Sequence, residues 1–205
     1  MKKGNIKLFL IISGIFISSI IMIYHFYSNE HKTELEDKSV DIFIKETVDI
    51  EKNKKREKEV KDKEIINYIA VLEIPKISIK KGLVDPSSEK NNVGQNIQIL
   101  NPSSMPDEEN HTFILASHSG TSQVAYFKDL DKLSNEDLVY VYYKNTKYTY
   151  KIYKNYSEKK TGSIIIKKDG DESVIVLTSC SRSNTKQLIY IGKLINKETY
   201  SGRIS

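Results

Sequence analysis

The chain has 205 residues, 32 lysines and arginines against 27 acidic residues for a net charge of +5, and a single cysteine. One cysteine excludes an intramolecular disulfide, and a modest, dispersed charge with no basic stripe among aromatics gives no support for nucleic-acid binding. One cysteine and four histidines without ligand spacing give no zinc motif, and no cofactor is implied.

Residues 1–7 form a short basic tail carrying Lys2, Lys3 and Lys7. Residues 8–27 read as a transmembrane signal anchor. The apolar run 8–26 would reach about 28 Å as a helix, close to the roughly 30 Å of a bilayer's hydrocarbon. No small-residue cleavage site follows, only Tyr27-Ser28-Asn29-Glu30-His31, which argues for an anchor that is retained. The flanking lysines keep the N-terminus cytoplasmic, so the expected localisation is the cell membrane, single-pass, with the remainder extracellular. Residues 28–65 mix lysine with glutamate and aspartate and hold few apolar side chains, the composition of a charged helical stalk or linker.

From residue 66 to 205 tyrosine and β-branched residues dominate, over a length sufficient for one domain. Strands are expected at 68–74, ended by Pro75, then at 77–81 and 112–117. A hairpin follows, 137–143 and 147–153 around the turn Lys144-Asn145-Thr146, with clear period-two alternation. Two last strands are expected at 172–178 and 187–195, and only 124–133 looks briefly helical. Seven or eight short strands with long loops indicate an all-β sandwich or barrel. The loop 86–107, rich in serine, asparagine and proline, is a candidate wall for a substrate groove.

The cysteine, Cys180, ends the apolar run Val174-Ile175-Val176-Leu177-Thr178-Ser179 and precedes a polar loop. A lone thiol there is a buried side chain, half of an intermolecular bridge or a nucleophile. A nucleophilic thiol needs a neighbouring cation or base. His111, in Glu108-Glu109-Asn110-His111, reads as a solvent-exposed loop residue. His118 directly follows the apolar strand Thr112-Phe113-Ile114-Leu115-Ala116-Ser117 and leads into Ser119-Gly120-Thr121. His118 and Cys180 therefore occupy equivalent places. If their strands are neighbours, both open at one rim as a thiol–imidazole pair requires.

These motifs, with the anchor and stalk, resemble the sortases, cysteine transpeptidases of Gram-positive surfaces. Leu177-Thr178-Ser179-Cys180 is similar to the family's Thr-Leu-x-Thr-Cys strand, and Leu115-Ala116-Ser117-His118 to its small-residue segment ending in histidine. Ile74-Pro75-Lys76-Ile77 and Ala125-Tyr126-Phe127-Lys128-Asp129-Leu130 resemble two further family segments. The resemblance implies a closed eight-stranded β-barrel with short helices, with Cys180 as nucleophile and His118 as general acid and base. It implies cleavage of a Leu-Pro-x-Thr-Gly-like sorting signal through a thioester. The acyl group would pass to an amine of a peptidoglycan precursor or a pilin lysine. The family's catalytic arginine opens the last strand, where this chain has Gln187, a neutral hydrogen-bond donor; Arg182 in the preceding loop is the reserve cation. The departure leaves a second expectation, an inactive or weakly hydrolytic homologue that binds sorting-signal peptides.

Overall fold

Short β-branched and aromatic runs, alternating in the hairpin and continuously apolar in the buried strands, give eight strands: β1 (Ala70–Ile74), β2 (Ile79–Leu83), β3 (Gln98–Ile99), β4 (Thr112–Ala116), β5 (Leu138–Tyr143), β6 (Thr146–Lys159), β7 (Val174–Cys180) and β8 (Lys186–Thr199). The structure, a computed structural model, describes residues 17–22, 40, 43, 66–181, 183 and 185–200. The chain divides into two units, Met1–Lys38 and Ser39–Ser205. In the first, residues 17–22 are helical with Ile17, Ile20, Ile21 and Met22 exposed, and the rest of the expected anchor lies outside the described residues. No described helix is long and apolar enough to cross a membrane.

The second unit holds one mixed sheet in the order β2-β1-β5-β6-β8-β7-β4-β3. Neighbours run antiparallel except β4 and β7, which are parallel. The sheet curls into a nearly closed barrel around Leu72, Phe113, Leu115, Tyr150, Ile175 and Leu177, all fully buried. Two smaller apolar clusters lie on its outer face. One joins Val71, Val84 and Tyr142 to Val40 and Phe43 of the segment expected as a stalk. The other joins Ile114, Val174, Val176, Ile189 and Ile191 to Ile164 and Ile166 of the β6–β7 loop.

Full closure is not reached. Among the described residues no backbone ladder joins the edges β2 and β3, and β3 is only two residues long. One side chain bridges the seam: Asn96 Nδ2 donates to the Gly82 carbonyl at 3.1 Å. Side chains also hold β3 itself. The buried Asn91 amide accepts from Ile99 N at 2.8 Å and donates to Ile99 O at 3.0 Å, mimicking a strand partner. Beyond it, the Ser103 and Ser104 hydroxyls accept from Ile114 N at 2.6 Å and Thr112 N at 2.8 Å. The loop 86–107 is thus stitched along the edge of β4.

The hairpin turns on two residues, Lys144 and Asn145, at φ 45° and 59°, so β6 begins at Thr146. The segment 124–133 forms turns and only one short 3₁₀ helix, Leu130–Lys132. Its Ala125, Phe127, Leu130 and Leu133 are buried at spacings of two and three, which a chain wrapping the barrel end satisfies without a continuous helix.

His111 is a correction: it is fully buried, not exposed. Its Nδ1 lies 2.9 Å from the Glu108 carbonyl, which can only accept, so the proton resides there and Nε2 accepts from the Tyr150 hydroxyl at 2.8 Å. Burial pushes its pKa below the usual histidine value. A lowered value means that the unfolded chain binds the proton more readily. The stabilisation is complete above the unfolded pKa of about 6.5 and is lost as pH falls below it. Thermal unfolding followed by circular dichroism is expected to show a steeper loss of Tm between pH 7 and 5 in the native chain than in His111→Gln. Equal slopes would show that another group sets the acid sensitivity.

Candidate active site

Along β7, Ile175 and Leu177 enter the core while Val174 and Val176 join the outer cluster. The pleat therefore sends Ser179 inward and Thr178 and Cys180 outward. On β4, Phe113 and Leu115 are inward and Ile114 outward. The parallel register pairs Thr112 with Val174 and runs to Ala116 with Thr178. Ser117 N extends it by donating to the Thr178 carbonyl at 3.3 Å. Continued for two residues past its last pair, this register would set His118 level with Cys180. The antiparallel ladders add Gln187 opposite Cys180 and Glu158 opposite Gln187.

On that continuation the rim of the outer face carries one row, with Cys180, Gln187 and Glu158 paired across β7, β8 and β6 and His118 following the end of β4. Cys180 is partly buried and His118 exposed. Hydrogen bonds fix the backbone under the row. The buried Ser179 hydroxyl donates to the Ser117 carbonyl at 2.7 Å, clamping the two strand ends together. Phe127 N donates to the His118 carbonyl at 3.1 Å and closes the loop that begins there. On the other side Ser181 N donates to Lys186 O at 2.8 Å, and Lys186 N to Ser181 Oγ at 3.1 Å, forming the β7–β8 turn.

Gln187 turns its amide toward β7, where Nε2 donates to Thr178 Oγ1 at 3.0 Å. Glu158 is occupied elsewhere: its carboxylate pairs with Lys167 at 2.8 Å and accepts from Ile165 N at 3.4 Å, tying down the β6–β7 loop. The Lys167 hydrogen bond holds the Glu158 carboxyl below the usual carboxylate range. Lys167 also lies 4.7 Å from the Tyr156 ring centroid. Arg182 lies outside the described residues. His111, at the opposite end of β4, has no part in the row. Among the described residues no three histidine, cysteine or acidic side chains gather as a metal site, and Asp107 pairs with Lys144 at 2.7 Å.

Glu158 was not among the expected site residues. Its signal was present in the alternation Tyr156-x-Glu158, but the expected strand stopped at 153 and the pairing with β8 follows only from the fold.

A thiol, an imidazole and an amide donor in line can perform nucleophilic acyl transfer. The Sortase domain family model matches residues 72–195. Among solved structures, sortase C1 from Streptococcus agalactiae is 30% identical, with a TM-score of 0.54, covering 63% of this chain and 68% of its own. The Clostridium perfringens sortase D5 transpeptidase is 23% identical, with a TM-score of 0.59, covering 80% of this chain and 99% of that one. Listeria monocytogenes sortase A is 15% identical, with a TM-score of 0.55, covering 64% and 90%. These last two likenesses bear on the fold alone. No curated protein matches the chain in sequence.

The clamp between the strand ends makes a prediction. Ser179→Ala leaves the buried Ser117 carbonyl without that donor and is expected to destabilise the fold by about 1–3 kcal/mol. Chemical denaturation measures the loss, and an unchanged midpoint would show that the bond carries no weight.

Proposed function

The chain belongs to the sortase family and is a cysteine transpeptidase of that type, and we propose that Cys180 is its nucleophile and His118 its general acid and base. The observation that supports this assignment is the parallel β4–β7 register, whose continuation past Ala116 and Thr178 would set His118 level with Cys180. In the first step the Cys180 thiolate attacks the carbonyl carbon of the scissile peptide bond. The carbon–nitrogen bond breaks, His118 gives its proton to the departing amine, and a thioester remains. In the second step an incoming amine attacks the thioester. Neutral His118 takes its proton, the carbon–sulfur bond breaks and the thiolate returns.

The motif resemblance supports a Leu-Pro-x-Thr-Gly-like sorting signal as acyl donor, cleaved between threonine and glycine. It supports a peptidoglycan precursor or a pilin lysine as acceptor. Residues 1–65, read as cytoplasmic tail, membrane anchor and charged stalk, would hold the domain at the outer membrane surface where both substrates arrive. Gln187 is the proposed oxyanion or substrate donor opposite Cys180, with Arg182 the reserve cation. A charged donor forms hydrogen bonds roughly twice as strong as a neutral one. The amide therefore favours a second reading, a weakly hydrolytic or peptide-binding homologue.

Intact mass spectrometry of the full chain in detergent, with Leu-Pro-x-Thr-Gly peptides and triglycine, separates these readings. The expected result is an acyl adduct that triglycine converts to ligated peptide and that Cys180→Ala abolishes. A folded chain that binds peptide without any adduct would establish the binding homologue. Gln187→Ala is expected to slow adduct formation by on the order of 10², the cost of losing one oxyanion donor. A rate unchanged from the native chain would take Gln187 out of the mechanism.

A further inference from the structure

The outward residues of β7 read Val174, Val176, Thr178, Cys180, so a hydroxyl interrupts an aliphatic series just below the thiol. Thr178 is 1% exposed and is flanked by Ala116 on β4 and Ile189 on β8. Valine would fill that space equally well, with the same shape and no buried polar group. The hydroxyl is nevertheless fully used. Its single proton goes to the Leu188 carbonyl at 2.9 Å, and its oxygen receives Gln187 Nε2 at 3.0 Å.

This arrangement has a direction built into it. A threonine hydroxyl has one donor, and that donor is committed to Leu188, so toward Gln187 it can only accept. Of the two ends of the Gln187 amide, only the nitrogen can face it. The flipped amide would set two acceptors against each other at the same distance. Glu158, opposite Gln187 on the other side, is engaged by Lys167 and Ile165 N, whereas the Gln187 amide bonds Thr178. One Nε2 proton is therefore held by Thr178, and the other has a fixed orientation at the row that contains Cys180.

We infer that Thr178 is a positioning residue for the acyl-transfer reaction. It acts through Gln187 by fixing the rotamer and the flip state of an uncharged donor. The inference rests on the role proposed for Gln187 above. An arginine has donors on every nitrogen, whereas an amide has a wrong end. A site relying on glutamine needs something to choose the end, and Thr178 Oγ1 makes that choice.

The test is a kinetic cycle in the full chain with a Leu-Pro-x-Thr-Gly peptide: Thr178→Val, Thr178→Ser, Gln187→Ala and the Val–Ala double variant. Losing one oriented neutral hydrogen bond is expected to lower kcat about tenfold in Thr178→Val. KM should stay within about twofold, the pattern of an interaction realised in the transition state. Thr178→Ser should recover most of the rate. In the Gln187→Ala background Thr178→Val should have no further effect. Side-chain amide NMR of Gln187 provides a readout apart from turnover, since one Nε2 proton should lose its protection in Thr178→Val. An unaltered kcat in Thr178→Val, with acyl-enzyme still forming, would overturn the inference and leave the proposed function standing. Equal rate losses in the native and Gln187→Ala backgrounds would reduce Thr178 to a packing residue and overturn it as well. No acyl-enzyme in the unaltered chain would overturn both.

Discussion

Everything at the rim depends on the one parallel pairing among the described strands, β4 with β7. Two residues that each end a strand meet only if the strands run the same way. In an antiparallel pair His118 and Cys180 would stand at opposite ends of the barrel. Parallel neighbours cannot be joined by a tight turn, and here the β5–β6 hairpin and the β6–β7 loop lie between them in sequence. The pairing is then protected on both sides, by β8 beyond β7 and by the stitched segment 98–104 beyond β4. The Ser179–Ser117 hydrogen bond locks the last step of the register, where the ladder has run out.

The electrostatic character of the row follows from what stands beside the thiol. Among its described members no permanent cation faces Cys180. Gln187 contributes a dipole, and the charge of Glu158 is balanced by Lys167 in the β6–β7 loop. That ion pair joins the loop to the row. Ile165 N and Lys167 bind Glu158, Lys167 N donates to the Tyr156 hydroxyl at 3.1 Å, and Ile164 and Ile166 pack on the outer cluster. The loop is held by polar bonds at its upper edge and apolar packing beneath.

The hairpin strands were legible in the sequence because period-two alternation reports which face is buried, and the central strands because short apolar runs report burial on both. β4 and β7, continuous apolar runs buried on both faces, came within two residues of their observed bounds. Register and long-range partners left no local mark. β3 was invisible because two residues carry no period, and on the edge away from β4 Ile99 is held by a side chain, Asn91. His111 misled because its sequence neighbours are polar, while the group that buries it, Tyr150, is 39 residues away. The segment 124–133 has apolar spacing compatible with a helix, yet packing against the barrel end satisfies the same side chains in turns. The expectation that Gln187 stands at the family's arginine position came from residues alone, but Thr178 as its partner required the diagonal geometry of β7 and β8.

The seam at Asn96 has a consequence for how such a barrel tolerates change. The four strands bearing the row, β6, β8, β7 and β4, are contiguous in the sheet, and the Asn96–Gly82 bond lies outside them. A side-chain bridge fixes no ladder register, so residues added or removed between β2 and β3 shift no strand pairing. Loop closure itself grows only slowly in cost with length. The barrel has a conservative side, where one slipped residue would shift the β4–β7 register, and a permissive stretch between β2 and Asn91, where length can change without touching a ladder. Variation in length at the seam is thereby separated from preservation of the rim.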